Sequence, residues 1–346
     1  MNKTFGKFAA AVVIYICFAV YLHLPHFKNF GLQQYLFVAN APLAGLGCYV
    51  LSRRWVSSFW GSLFAGAIYG FGPFMLSLAK FHPTAGLLAA SIPWLFCPAA
   101  FGPKAKWKWL RIPLSVLPAL MIILFFQVSS HYRLFAVPLQ TRLRLADLLG
   151  LVAPLAAAQQ GITLVGFYHI PIAALVMGFS MLFAARRFSV LIIFCLGIIL
   201  ASCQSLFGVS PIVWLSFPVL CCSVIIGAGL QGLCSTGFAD KKWILASAAF
   251  MAGLSIVTLL LATKCFPSPT LHSYGNGAMF AGLGDKYAKL FLADAKMYVV
   301  GTIALAFIFF MVCAKLRIAT IRLIILCSAL AVDIFLAARF IVDRIL

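Results

Sequence analysis

The side chains best suited to chemistry collect in one stretch, from Arg133 to Gln160. Asp147 is the only acid in that stretch, and Arg142 and Arg144 alternate with leucines just before it. A carboxylate can act as a general base, and guanidinium groups bind phosphate oxygens through paired hydrogen bonds. The segment therefore predicts a site for a phosphate-bearing substrate. The alternative is that the arginines contact lipid headgroups.

Histidines and amides extend this candidate site. His82 and His131 are predicted to assist Asp147 as acid, base or polar contacts. The predicted substrate-binding residues are Arg133, Arg142, Arg144, Gln159 and Gln160. We predict no cofactor, because the chain contains no glutamate and no motif with zinc-ligand spacing. A divalent metal near His23 and His26, three residues apart, is the alternative.

Asp333 is a separate candidate, since it lies within an apolar stretch. Acidic side chains inside a membrane are energetically costly, and they are therefore functional candidates by default. Arg322 precedes Asp333 by eleven residues and Arg339 follows it by six. Asp333 is predicted either to couple transport to protons or to form a structural pair with an arginine or histidine of another span.

Composition decides which elements position these residues. Hydrophobic residues make up 64% of the 346 residues, charged residues make up 9%, and the mean hydropathy is +1.09. Soluble domains contain about 45–50% apolar and about 25% charged residues. The composition predicts an integral membrane protein, and it excludes cytosolic enzymes, nucleic-acid-binding modules, disulfide scaffolds and disordered chains. The net charge of +20 comes from basic residues scattered between apolar runs, which is typical of contact with anionic membrane lipids.

Charge-free runs predict the membrane spans, because a helix needs about 20 residues to cross the hydrocarbon core. The expected fold is an all-α bundle of about eleven spans forming one membrane domain over residues 1–346. The predicted spans are 8–24, 34–52, 57–79, 84–103, 110–129, 163–185, 188–206, 210–232, 243–263, 297–315 and 318–341. Prolines and glycines are expected to interrupt several spans, at Pro42, Gly70–Pro73, Pro93, Pro171 and Pro218.

Basic residues predict the orientation of the bundle. The short connections on one side carry pairs such as Arg53–Arg54 and Lys241–Lys242, whereas those on the other side carry only Lys28 and Lys80. The positive-inside rule then places the N-terminus inside. Long loops at 129–161 and 264–296 are expected outside, with interfacial or re-entrant helices, and all six histidines lie on or near that side.

Part of the chain resembles a known family. Asn40–Gly47 (NAPLAGLG), Ala65–Phe74 (AGAIYGFGPF), His82 and Ile92–Pro93 resemble the GT-C class of membrane glycosyltransferases, especially its poorly characterised bacterial members. The resemblance covers about residues 40–100. It implies a polyprenyl-phosphate-linked sugar as substrate and the bacterial cytoplasmic membrane as location. That class usually carries an acid in its first outer loop, as base or metal ligand, whereas the loop at 25–33 has none.

Three functions therefore stay open from the sequence. The first is a GT-C-like protein that handles a lipid-linked, phosphate-bearing substrate at the outer face. The second is a transporter or flippase-like carrier with Asp333 as its coupling group. The third is a non-catalytic membrane scaffold subunit, which the missing first-loop acid favours.

Overall fold

The structure, a computed structural model, describes residues 2–29, 32–81, 83–102, 109–132, 188–203, 206–235 and 318–345, and single positions between 242 and 310. These ranges are helical, and they include seven helical segments long and apolar enough to cross a membrane. The prediction of an α-helical membrane protein is confirmed at this level. The predicted spans at 163–185, 243–263 and 297–315, and both long loops, lie outside the continuously described ranges.

Helices lie at eight of the predicted spans, but the helix at 188–206 is shorter and is not one of the seven that are long enough to cross. The N-terminal helix continues into a 3-10 helix, Leu24–Asn29. A second 3-10 turn, Leu206–Gly208, precedes the helix that begins at Pro211. The helices are α1 Asn2–His23, α2 Leu32–Ser52, α3 Phe59–Phe71, α4 Pro73–Phe81, α5 Pro83–Phe101, α6 Arg111–Tyr132, α7 Phe188–Ser202, α8 Pro211–Trp214, α9 Ser216–Ser235 and α10 Ala319–Ile345.

The third span is broken, as the sequence predicts, but α2 and α5 continue through Pro42 and Pro93, where the sequence wrongly predicts interruptions. Pro218 lies in the first turn of α9, and Pro171 lies outside the described residues.

Gly72 adopts an extended conformation (φ −67°, ψ 157°) between α3 and α4. Pro73 begins α4 without a backbone N–H, and a proline restricts the preceding residue to extended conformations. The two half-helices form one candidate span, Phe59–Ala79, and most of that span is buried inside the bundle. A helix break therefore lies in the interior of the bundle.

Small residues let the central helices pack closely. Gly66 and Gly70 on α3 face Gly45 on α2, so that a Cβ at Gly66 would overlap the Tyr15 hydroxyl group and the Gly45 carbonyl group. Gly61 on α3 meets Gly227 on α9 in the same way. Lipid gives apolar helices no hydrophobic drive to associate, so contacts of this kind decide which helices become neighbours. Here they place α3 at the centre, between α2 and α9.

Polar contacts identify which helix ends lie together. The Gln231 side-chain oxygen, near the end of α9, accepts hydrogen bonds from the backbone N–H groups of Ser57 (2.7 Å) and Ser58 (3.1 Å). The Gln127 amide, near the end of α6, donates to the Phe207 carbonyl at 2.8 Å. Each contact brings together two helix ends to which the sequence analysis assigns the same side of the membrane. The end that holds Gln127 is called the outer end here; that it faces outside stays a prediction.

Candidate functional site

A charged cluster forms at the outer end, where α1 and α10 finish side by side. His26 lies in the 3-10 helix after α1, because Pro25 prevents α1 from continuing regularly. Its Nε2 is 3.1 Å from Oδ1 of Asp343, on the last turn of α10. The Nε–H of Arg339, one turn earlier, donates to Oδ2 of the same carboxylate. These three residues are called the outer junction.

The outer junction is accessible. The side chains of His26, Arg339 and Asp343 keep 23%, 32% and 36% of their surface exposed. Ion pairs at this exposure contribute about 0–1 kcal/mol to stability, because solvent screens them. The cluster is therefore a minor contributor to folding, and its charged groups can be reached by a ligand.

Aromatic residues flank the outer junction along the chain. Tyr21 is 58% exposed, and its ring centroid is 6.1 Å from that of Phe335 on α10. Phe27 stacks on Tyr35 with ring centroids 6.2 Å apart and an angle of 12° between the planes. Aromatic side chains with one polar end are typical of the membrane–water interface. The exposed Tyr21 beside the outer junction is of the kind found at that interface.

His23 has a different role from His26. Its side chain is fully buried, its Nδ1 is 2.9 Å from the Ala19 carbonyl oxygen, and its ring packs edge-on against Phe37 at 5.4 Å. The two histidines thus contact different helices, although they are three residues apart. Within the described ranges no group of three His, Cys, Asp or Glu residues could hold a metal ion.

Asp333 is buried on α10. It is 3% exposed and shares one face of the helix with Arg322 and Leu326. Its Oδ2 has no hydrogen-bond partner among the residues that the structure describes. Arg322 is eleven residues away, or about 16 Å along the helix axis, so these two side chains cannot pair directly. An ion pair with Arg322 is therefore not the reason for Asp333's burial.

Neighbouring rings give the depth of Asp333. Phe335, half a turn further on, contacts Phe18 at 6.5 Å, and Phe18 meets Phe71 edge-on at 4.7 Å. Phe71 is the last residue of α3, so Asp333 lies at about the level of the break before Pro73. Helix α10 packs against both α3 and α4. Acidic side chains within membrane spans and interrupted helices are two separate features that occur in ion-coupled carriers.

Two of the predicted site residues fall within the described ranges. His131 lies exposed in the last turn of α6, and Asp333 is buried as described above. The other predicted site residues lie outside the described residues and stay predictions: His82, Arg133, Arg142, Arg144, Asp147, Gln159 and Gln160.

The sequence did not identify the outer junction as a site. His26 and Asp343 are 317 positions apart, and no motif links them. Two signals existed: the alternation of spans, which puts both residues at one side, and the four-residue spacing of Arg339 and Asp343, which lets a helix pair them. Neither signal says that α1 and α10 are neighbours.

The fold and the site together define a multi-pass α-helical membrane protein. No family model, no curated protein sequence and no solved structure matches this chain. Its function is therefore inferred from the contacts above and from the partial resemblance over residues 40–100.

Proposed function

We propose that this protein handles a lipid-linked, phosphate-bearing substrate at the outer face of the membrane, as a GT-C-like protein. The observation that carries the proposal is the outer junction. It combines a guanidinium group, a carboxylate and an imidazole in one partly exposed cluster among interfacial aromatic residues. A polyprenyl-phosphate-linked sugar holds its phosphate at headgroup depth and its sugar in the adjoining water, within reach of such groups.

The resemblance to GT-C proteins gains one point of support. The segment at 25–33 lacks the acid that the class usually carries in its first outer loop. Asp343, on a distant helix, brings a carboxylate to within 3.1 Å of His26 in that segment. The residues of the resemblance, Asn40–Ala100, form the packed helices α2 to α5.

Loop 129–161 supplies the rest of the proposed site. Arg142 and Arg144 are proposed to hold the phosphate through bidentate hydrogen bonds, as guanidinium groups do with phosphate oxygens. Asp147 is proposed as a second carboxylate beside them. His131 lies exposed in the last turn of α6, which covers the first residues of this predicted loop.

The test is mass spectrometry of lipids retained by the protein purified in a mild detergent. We expect enrichment of a polyprenyl-phosphate species over its abundance in the source membrane. The double variant Arg142→Gln/Arg144→Gln should lose that enrichment, and Arg54→Gln, an exposed arginine at the opposite end of the bundle, should keep it. Bulk phospholipid alone would contradict the proposal. A single stoichiometric partner protein with no retained ligand would favour a membrane scaffold.

A carrier with Asp333 as its coupling group is the second candidate. The observation that favours it is the burial of Asp333, with Oδ2 lacking a partner among described residues, at the level of the α3–α4 break. Proteoliposomes with a fluorescent polyprenyl-phosphate analogue test it: flipping should depend on pH, and Asp333→Asn should abolish that dependence. Flipping that is equal in both proteins, and equal between about pH 5.5 and 8, would contradict coupling.

A further inference from the structure

His26 uses one of its two ring nitrogens in the outer junction. Its Nε2 faces Oδ1 of Asp343 at 3.1 Å, and no other hydrogen bond joins its ring to the described part of the chain. A carboxylate accepts, so the proton is assigned to Nε2, and Nδ1 then carries a lone pair. An imidazole in this state can take a proton from a bound hydroxyl group.

Asp343 is itself held in place. One of its oxygens faces His26 and the other accepts from the Nε–H of Arg339, so both carboxylate oxygens are engaged. A carboxylate that orients a histidine fixes its tautomer, and it stabilises the imidazolium that forms when the histidine takes up a proton. Arg339, Asp343 and His26 thus form a chain of contacts that ends in one basic nitrogen.

We propose that His26 is the general base of the outer-face reaction, with Asp343 and Arg339 as its positioning residues. The assignment rests on the proposed function and names the base for it. The substrate class is a polyprenyl-phosphate-linked sugar with a hydroxyl acceptor. This assignment gives His26 the role that the sequence predicts for Asp147.

The proposed step moves one proton and exchanges one bond. The acceptor hydroxyl gives its proton to Nδ1 of His26 while its oxygen forms a bond to the anomeric carbon. The bond from that carbon to the phosphate oxygen breaks, and the leaving lipid phosphate keeps the electron pair. The proton then passes from His26 to water. With water as the acceptor, the same step releases the free sugar.

Removing the outer junction should leave the fold intact. Exposed ion pairs contribute little to stability, because solvent screens them. Helices α1 and α10 are also joined by the ring contacts of Phe335 with Phe18 and Tyr21. Variants of His26 and Asp343 can therefore be purified, and a loss of rate can be separated from a loss of protein.

The experiment uses the full-length protein in detergent and a polyprenyl-phosphate hexose radiolabelled in the sugar. Sugar release is measured across pH, and retention of the lipid is measured in parallel by mass spectrometry. We expect His26→Gln to lower the rate about 10²–10⁴-fold with retention unchanged. Asp343→Asn should lower the rate at least about tenfold, because the orientation of the base is lost. Arg54→Gln should match the wild type.

Two readouts separate a catalytic role from a structural one. The pH profile of sugar release should differ between the wild type and His26→Gln, because only the wild type carries the base. The exchanged pair His26→Asp/Asp343→His keeps one acid and one histidine together. A structural role predicts that the exchange restores activity, whereas the base assignment predicts that activity stays low.

The failures are distinguishable. A wild type that neither retains nor cleaves the labelled lipid overturns the proposed function, and the base assignment with it. A wild type that retains and cleaves it, with His26→Gln equally active, overturns the base assignment alone; loss of activity in Asp147→Asn would then give that role to Asp147. Retention without any cleavage by the wild type also overturns the base assignment.

Discussion

Replacing Asp333 with leucine should stabilise the protein while removing any role of its carboxyl group. The side chain is 3% exposed and its Oδ2 has no hydrogen-bond partner among the described residues. A buried polar group left unsatisfied costs about 1–3 kcal/mol. Leucine has the same number and branching of side-chain heavy atoms, a larger volume and no polar atoms, and repacking a core around a changed side chain costs about 1 kcal/mol or more. We therefore expect a net gain of about 0–2 kcal/mol in the free energy of unfolding.

The assay is reversible unfolding in mixed detergent and dodecyl sulfate micelles, followed by circular dichroism. Asp333→Asn is the matched control, because it removes the charge and keeps the polar atoms, and it should change stability less than leucine does. A loss of about 3–5 kcal/mol in Asp333→Leu would refute the reasoning, because breaking a buried ion pair costs that much. It would mean that Asp333 is paired with a charged group outside the described residues.

Three further predictions concern the packing and orientation of the helices. Gly66→Ala should lower the unfolding free energy by about 1–3 kcal/mol, because the added Cβ would overlap the Tyr15 hydroxyl group. The control Gly6→Ala should not lower it, because nothing lies within 4 Å of a Cβ at Gly6. Thermal unfolding in detergent compares the two variants. Tyr15→Phe should lower the unfolding free energy by about 0.5–1.5 kcal/mol, because it removes the 2.6 Å hydrogen bond from the Tyr15 hydroxyl group to a carbonyl oxygen on α3. An unchanged unfolding midpoint would contradict that bond. A topology reporter fused after Lys106 should read inside and one after Ser273 outside, and the reverse result would invert the orientation.

The sequence predicts the helices well because length and charge alone define them. The second span, predicted at 34–52, is Leu32–Ser52 in the structure, and the predicted interruption falls at Gly72–Pro73. A stretch without charges must be helical to cross lipid, and the Gly72–Pro73 pair ends a helix, although single prolines such as Pro42 and Pro93 do not. These features depend on local chemistry, which a single sequence contains.

Helix neighbours are harder to predict, and the outer junction depends on them. In a soluble protein an apolar stripe marks the face of a helix that packs against others, but in lipid every face is apolar. Nothing in the sequence around Tyr21 or Phe335 shows that α1 and α10 touch. His26 and Asp343 could therefore be placed on one side of the membrane from sequence, but not brought together.

Helix α10 carries both carboxyl groups on which the two proposed functions depend. Asp333 and Asp343 are ten residues apart, or about 15 Å along the helix, one buried at the level of the α3–α4 break and the other exposed at the outer end. Asp333→Asn and Asp343→Asn each replace one carboxyl group of α10 with an amide group of nearly the same size. Loss of sugar release only in Asp343→Asn would assign the chemistry to the outer junction. Loss of flipping only in Asp333→Asn would place the functional site in the interior of the bundle. A reaction at the membrane surface does not need a carboxyl group at that depth.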